Sequence, residues 1–299
     1  MSKKTVFKGA AVAITTPFGN DGKIDYNVFE QQIEYQISNK TDAIVVCGTT
    51  GEASTLSDEE HKELIRFTVE KVNKRVPVIA GTGSNETSYA LELSEHALQA
   101  GADAILVVTP YYNKTTQKGI IEHYTYIANR VNLPMILYNV PSRTGLNILP
   151  QTYKILSMHP NIVATKEANG NVASVAQTRY LCGDELDIYS GEDTMITPML
   201  SLGAKGVISV LSNIMPKQTH DICSKFFNGD CEGSAGLQIE LIELINALFI
   251  ETNPIPVKTA LNLMEQNVGG FRLPLTSMTE ANLKILKEQL ELHGLYSQK

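Results

Sequence analysis

Eight short runs of small, aliphatic and β-branched residues recur along the first three quarters of this chain, each separated from the next by an amphipathic stretch of helical length. They occupy positions 10–14, 43–46, 76–80, 104–108, 135–138, 162–165, 187–189 and 206–210. None alternates apolar with polar residues as a half-exposed strand does. Continuous apolar runs belong to strands covered on both faces, and a helix-length connection sets successive strands parallel. Eight such repeats predict an α/β fold whose sheet closes into a barrel. An open, doubly wound sheet has the same periodicity and stays the competing architecture. Its usual dinucleotide fingerprint is missing, because Gly81-Thr82-Gly83 lacks both a third glycine and the acidic partner.

The connecting segments carry helix start and stop signals. Ser57-Asp58-Glu59-Glu60 reads as a capping box opening a helix over 59–72, Gly101 closes one over 86–100, and Pro216 opens another that runs to Phe227. After Asn228-Gly229-Asp230 the strand signals stop, and helical patterns follow at 231–251, 256–267 and 279–293. Leu237, Leu241, Leu244, Ile245, Leu248 and Phe249 give the first of these an apolar stripe. The expected organisation is a catalytic barrel over 1–229 and a small C-terminal three-helix domain over 230–299. The stripes suit packing on the barrel, and equally suit contact between subunits.

A net charge of −7 and a pI near 5.4 argue against nucleic acid or an anionic membrane as the main partner, which leaves small-molecule chemistry. The apolar stretch at 10–14 is too short for a signal-peptide core, and no run approaches the roughly 18 residues of a membrane span, so a cytoplasmic location is expected. Four scattered cysteines without a CxxC pair point to reduced thiols, and six histidines without HExxH or paired spacing predict no metal.

Enzymes built on such barrels gather their chemistry at the carboxyl ends of the strands. Those ends are polar here: Gly48-Thr49-Thr50-Gly51-Glu52 after the second run, Thr109-Pro110-Tyr111-Tyr112-Asn113 after the fourth, Tyr138-Asn139 at the fifth, Lys166-Glu167 at the sixth and Ser190-Gly191-Glu192-Asp193 at the seventh. Lys166 stands where Ile162-Val163-Ala164-Thr165 meets the polar residues. A free lysine titrates near ~10.4 and attacks carbonyls slowly at neutrality unless burial or nearby cations lower that value. Most lysines are solvated loop residues, so the neighbours of Lys166 carry the case for a nucleophile. Tyr138 is either a core aromatic or a phenol that relays protons. Gly48-Thr49-Thr50-Gly51 is either a turn or a carboxylate cradle. Arg143 either pairs with a surface acid or grips a substrate carboxylate at two points.

Gly48-Thr49-Thr50-Gly51-Glu52, Tyr138-Asn139-Val140-Pro141-Ser142-Arg143-Thr144-Gly145 and Lys166-Glu167, in this order and at these separations, resemble the dihydrodipicolinate synthase family. The likeness spans nearly the whole chain, including Asn253-Pro254-Ile255-Pro256-Val257-Lys258 and Arg272-Leu273-Pro274-Leu275. It implies a (β/α)8 TIM barrel with a helical C-terminal domain. It also implies that Lys166 forms an imine with pyruvate, whose enamine attacks L-aspartate 4-semialdehyde to give 4-hydroxy-tetrahydrodipicolinate in the diaminopimelate route to lysine. No cofactor beyond the covalent Schiff base is implied. By the same resemblance, Tyr138, Thr50 and Tyr112 relay protons, with Tyr112 reaching across from a neighbouring subunit. Thr49 and Thr50 hold the pyruvate carboxylate, Arg143 takes the carboxylate of the semialdehyde, and Gly191 and Ile208 offer backbone groups. A homotetramer, built as a dimer of tight dimers, is the expected assembly.

Lysine-inhibited members of the family are similar in a second site that uses His and Glu side chains. His61, Asn85 and Tyr111 match that pattern, whereas Asp58 and Tyr89 replace the other histidine and the glutamate, and Ala53 replaces a serine. Weak or absent lysine feedback is therefore expected. The alternative within the superfamily is another pyruvate-dependent aldolase, such as an N-acetylneuraminate lyase or a keto-deoxy-sugar-acid aldolase. Sialic acid lyases carry serine at the position of Thr49 and lack the Ser-Arg-Thr-Gly motif. An alternative of another class is a catalytically silent barrel that binds carboxylates.

Overall fold

The computed structural model describes residues 3–297. Its core is a closed, all-parallel barrel of eight strands: β1 (Gly9–Ala13), β2 (Ala43–Val46), β3 (Val78–Gly81), β4 (Ala104–Val108), β5 (Met135–Asn139), β6 (Ile162–Glu167), β7 (Asp187–Ser190) and β8 (Gly206–Ser209). Each strand pairs with its sequence neighbours, and β8 returns to β1 with Gly9 opposite Gly206, which excludes the open sheet. The apolar runs locate every strand to within a residue or two, because a strand covered on both faces has no polar position to blur its limits. Residues of β1 to β8 that point inward, among them Ala11, Ala43, Val45, Ile79, Ile136 and Ile208, form an apolar cluster inside the barrel. Two larger clusters lie between the barrel and its helices.

Local helix signals behave as their chemistry requires. Ser57 caps the helix Asp58–Val72 through the Glu60 N–H while the Glu60 carboxylate accepts from the Ser57 N–H, a reciprocal capping box. Gly101 ends Thr87–Ala100 in the left-handed conformation, and Pro216 occupies the first turn of Pro216–Phe227.

The segment read as one helix over 231–251 is two, Cys231–Glu240 and Ile242–Leu248, meeting at Leu241. With Ile255–Leu263 and Glu280–Leu292, four helices rather than three follow residue 230 among the described residues. The break has a packing reason. Cys231–Glu240 lies on the helix Pro216–Phe227, whereas Ile242–Leu248 lies on Glu280–Leu292 and on the turn Asp193–Met195 at the barrel mouth. One straight helix could not reach both. Leu241, Leu244, Ile245 and Leu248 are buried in a cluster shared with Val207, Ile214 and Met215, with Leu237 partly buried against it, so most of the apolar stripe is core, while Phe249 is 44% exposed. Among the described residues, no helix is long and apolar enough to cross a membrane.

Candidate active site

Strand alternation decides what Lys166 faces. Ala164 and Ala168 belong to the interior cluster, while the Thr165 hydroxyl bonds to Tyr153 on the surrounding helix Pro150–Leu156, so Lys166 points inward. Lys166 is 6% exposed. Tyr138 on β5 is its direct cross-strand partner, and the Lys166 Nζ lies 4.4 Å from the centroid of the Tyr138 ring. A cavity of about 290 Å³ opens over the pair. Thr49, Thr50, Arg143 and Gly191 share its wall with Tyr138 and Lys166.

Each wall element has a local cause. Gly81, at the end of β3, allows the backbone after β2 to come close: a Cβ there would stand 2.1 Å from the Cys47 carbonyl oxygen. Gly81 thus serves close packing beneath the Thr49-Thr50 loop, whereas Gly83 serves close packing on β4, where a Cβ would stand 2.3 Å from the Val108 main-chain nitrogen. In Val140-Pro141-Ser142-Arg143-Thr144-Gly145 the proline starts a single helical turn, Pro141–Thr144, and Gly145 ends it at φ +66°. That turn holds Arg143 exposed at the mouth. Gly191 lies against Lys166, since a Cβ there would approach the lysine Cε to 3.1 Å and the Ala168 Cβ to 2.8 Å. Any side chain at 191 would crowd the amine.

Acidic groups flank the site. Asp193 is buried in the cavity wall, and its Oδ2 accepts from the Val210 and Leu211 N–H groups, both at 2.9 Å. Burial pushes its carboxyl up from the ordinary range, and hydrogen bonds and the Lys166 charge work the other way. Glu167 faces outward, where it accepts from Asn139 Nδ2 at 2.9 Å and from the Tyr153 hydroxyl at 2.8 Å. Burial raises its pKa to about 7.

The remaining candidates lie elsewhere. Ile208 belongs to the barrel interior but not to the cavity wall. Tyr112 is 92% exposed at φ +67° and does not line the cavity of its own chain. His61 and Tyr111 line a second, adjoining cavity of about 370 Å³ together with Tyr89 and Ala53, while Asn85 is not part of that wall. Within it the His61 Nε2 donates to the Gly81 carbonyl at 2.7 Å, and burial holds the imidazole below its usual range. The Tyr89 hydroxyl donates to Asp58 at 3.1 Å, and Lys62 donates to the other oxygen of that carboxylate at 2.8 Å.

Three wall residues come from the helical tail: Asn246, Phe249 and Asn253. Asn253 Nδ2 donates to the Thr50 hydroxyl at 3.0 Å, and its main-chain carbonyl accepts from Arg143 Nη2 at 3.1 Å. Lys258 is fully buried against Glu52, with Nζ 2.6 Å from the carboxylate and 2.6 Å from the Gly270 carbonyl. Arg272 makes a bidentate pair with Glu60, both contacts at 2.6 Å. The one sequence signal for these roles was the presence of Asn253, Lys258 and Arg272 in otherwise apolar, proline-rich stretches, since polar groups placed there need partners.

Residues 6–293 match the profile of the Dihydrodipicolinate synthetase family. The chain is 56% identical over 291 residues to 4-hydroxy-tetrahydrodipicolinate synthase 1 of Clostridium acetobutylicum, covering 97% of this chain and 99% of that one. It is 58% identical over 291 residues to the 4-hydroxy-tetrahydrodipicolinate synthase of Lachnoclostridium phytofermentans, with 97% and 99% covered. Its fold is similar to the crystal structure of a dihydrodipicolinate synthase from Thermotoga maritima, with a TM-score of 0.95 at 42% identity over 97% of this chain and 100% of that one.

Proposed function

The chain belongs to the dihydrodipicolinate synthetase family, and we propose that Lys166 is the residue through which it acts as a 4-hydroxy-tetrahydrodipicolinate synthase, joining pyruvate to L-aspartate 4-semialdehyde. The observation that carries this reading is a buried lysine at the carboxyl end of β6, paired with Tyr138 and facing a cavity whose wall includes Thr49 and Thr50, with Arg143 at its mouth.

The amine lone pair attacks the C2 carbonyl of pyruvate, and the ketone oxygen takes a proton. That oxygen then leaves as water with a second proton, giving a protonated imine. Positive charge beside C2 acidifies the methyl group, which loses a proton to form an enamine. The enamine carbon bonds to the aldehyde carbon, whose oxygen is protonated to the hydroxyl. The amino group of the adduct then attacks the imine carbon, closing the ring and releasing the Lys166 amine. Tyr138 and Thr50 carry the protons, and hydroxyl relays of this kind contribute roughly 10²–10⁴ in rate. Thr49 and Thr50 hold the pyruvate carboxylate, and Gly191 and Ile208 supply backbone groups around it. Arg143 holds the carboxylate of the second substrate at the mouth, where a guanidinium offers two parallel donors.

Pyruvate itself becomes the electron sink, so this route needs no separate cofactor. The exposed Tyr112 suits donation into the site of a neighbouring subunit, within a homotetramer arranged as a dimer of dimers. The helical segment from 230 acts as an accessory unit that roofs the barrel mouth. A biosynthetic role of this kind fits a cytoplasmic location.

Borohydride reduction in the presence of pyruvate, followed by peptide mass mapping, tests the proposal. The expected result is pyruvate attached to the Lys166 peptide and to no other. A correctly folded Lys166→Ala protein that makes product at the unmutated rate would falsify the mechanism.

A further inference from the structure

We propose that Glu192, in the loop after β7, is a catalytic base that binds the ammonium of the second substrate and takes the proton it must lose before the ring can close; this rests on the imine chemistry assigned above to Lys166. L-Aspartate 4-semialdehyde carries two charges at neutral pH, a carboxylate and an ammonium. Arg143 answers the first. The second needs an anion. It is also the nitrogen that must attack the imine carbon, and an ammonium has no lone pair with which to do so.

Two carboxylates near the amine are already engaged. Glu167 faces away from the cavity and accepts from Asn139 and Tyr153. Asp193 is 2% exposed, with its Oδ2 held by the Val210 and Leu211 N–H groups. Glu192 is half-buried in the wall that also holds Lys166, Arg143 and Gly191. Among the described residues, no hydrogen bond or ion pair engages its carboxylate. Its main chain, by contrast, is fixed: the N–H donates to Ser190 Oγ at 3.2 Å, and that hydroxyl donates to the Glu192 carbonyl at 2.8 Å. Gly191, the residue before it, lies against Lys166, and the carboxylate stands beside Gly170, where a Cβ would be 3.9 Å from Oε2. A fixed backbone thus carries a free carboxylate at the cavity wall, one residue from the contact with the reacting amine. Burial holds that carboxyl above its ordinary range, which makes it the stronger base.

In the acyclic adduct Glu192 takes one proton from the ammonium. The lone pair so freed bonds to the imine carbon, and the π pair of the carbon–nitrogen double bond moves to the Lys166 nitrogen. One proton passes from the attacking nitrogen to the lysine nitrogen, which lies 4.4 Å from the centroid of the Tyr138 ring. The ring nitrogen then expels Lys166 as the free amine, and its last proton goes to solvent, as does the one on Glu192.

Glu192→Gln keeps the shape and removes the base, and Glu192→Ala serves if the glutamine variant fails to fold by circular dichroism. Borohydride trapping of pyruvate alone on Lys166 should stay within about twofold of the wild-type rate, since the imine forms before this step. Turnover of L-aspartate 4-semialdehyde should fall about tenfold or more, within the range of a positioned base. Trapping during turnover should then find both substrates, joined but uncyclised, on Lys166, because ring closure has become the slow step. Succinic semialdehyde, which lacks the amino group, supplies the control: it should join to pyruvate on Lys166 at the same rate in variant and wild type. A loss of turnover smaller than about tenfold in the folded variants overturns the proposal. An equal loss with succinic semialdehyde overturns it too, as the mark of a disturbed cavity rather than a missing base. A wild-type protein that traps no pyruvate would instead refute the assignment of Lys166, and this inference with it.

Discussion

Removing the Lys258 ammonium while keeping its stem, as in Lys258→Met, should lower the melting temperature by roughly 5–8 °C. Both partners of the Lys258–Glu52 pair are fully buried, and the ammonium also bonds the Gly270 carbonyl and lies 4.4 Å from the centroid of the Phe18 ring. Burial pulls the Lys258 pKa down, and the carboxylate at 2.6 Å works against that. Methionine would leave Glu52 in the interior with the Arg272 main-chain N–H, 3.4 Å away, as its remaining donor among the described residues. Breaking a buried pair from one side costs about 3–5 kcal/mol. Unfolding entropy of about 2.1 cal/mol/K per residue comes to about 0.6 kcal/mol/K for a chain of 299 residues, which converts that cost to the stated shift. Differential scanning calorimetry at neutral pH reads it directly. Lys258→Met with Glu52→Gln removes both charges and should recover most of the loss. Pyruvate trapping, measured well below either melting temperature, should also slow in the single variant, because Glu52 anchors the loop that carries Thr50. Unchanged melting of Lys258→Met, or a double variant that loses the sum of the two singles, would refute the reasoning.

Further outcomes follow from the site. Tyr138→Phe should lower kcat by about 10²–10⁴ while the melting temperature holds, and a loss under threefold in steady-state assays would remove Tyr138 from the relay. Arg143→Ala should raise KM for the semialdehyde by about 10- to 150-fold, matching the roughly 1.5–3 kcal/mol of a charged hydrogen bond, while the imine with pyruvate still forms. Glu167, with its pKa raised to about 7 in the folded protein, binds its proton more tightly folded than unfolded. Stability from this group is complete below the unfolded pKa near 4.5, falls as pH rises toward 7, and is flat above. The gap amounts to about 3 kcal/mol, so Glu167→Gln should gain on wild type in calorimetry between pH 5 and pH 8, and a pH-independent difference would contradict this. Lysine at millimolar concentration should leave the rate nearly unchanged, because Asp58 is already engaged by Lys62 and Tyr89; strong inhibition in that range would reverse the expectation.

Much of the barrel was legible because its signals are local. A strand covered on both faces is an unbroken apolar run, and a capping box or a terminal glycine acts within one turn, so β2 and β4 match their predicted limits and Ser57 caps where expected. Lys166 and Tyr138 were visible as polar residues at the ends of such runs. The single helix expected over 231–251 fails at Leu241 because helical periodicity continues across a break that only the packing partners impose.

The chain order of apolar runs thus determined the number of strands, their parallel sense and the identity of the polar residues at their carboxyl ends. Which way Lys166 turns was decided only by closure, since a shift of one residue exchanges it with Thr165 or Glu167 and no local pattern separates those registers. The contacts from Asn253 to Thr50 and from Lys258 to Glu52 span 203 and 206 residues. Periodicity carries information across a few turns of chain, and pairings at that separation exist only once the barrel has brought its loops and the helical tail to the same mouth.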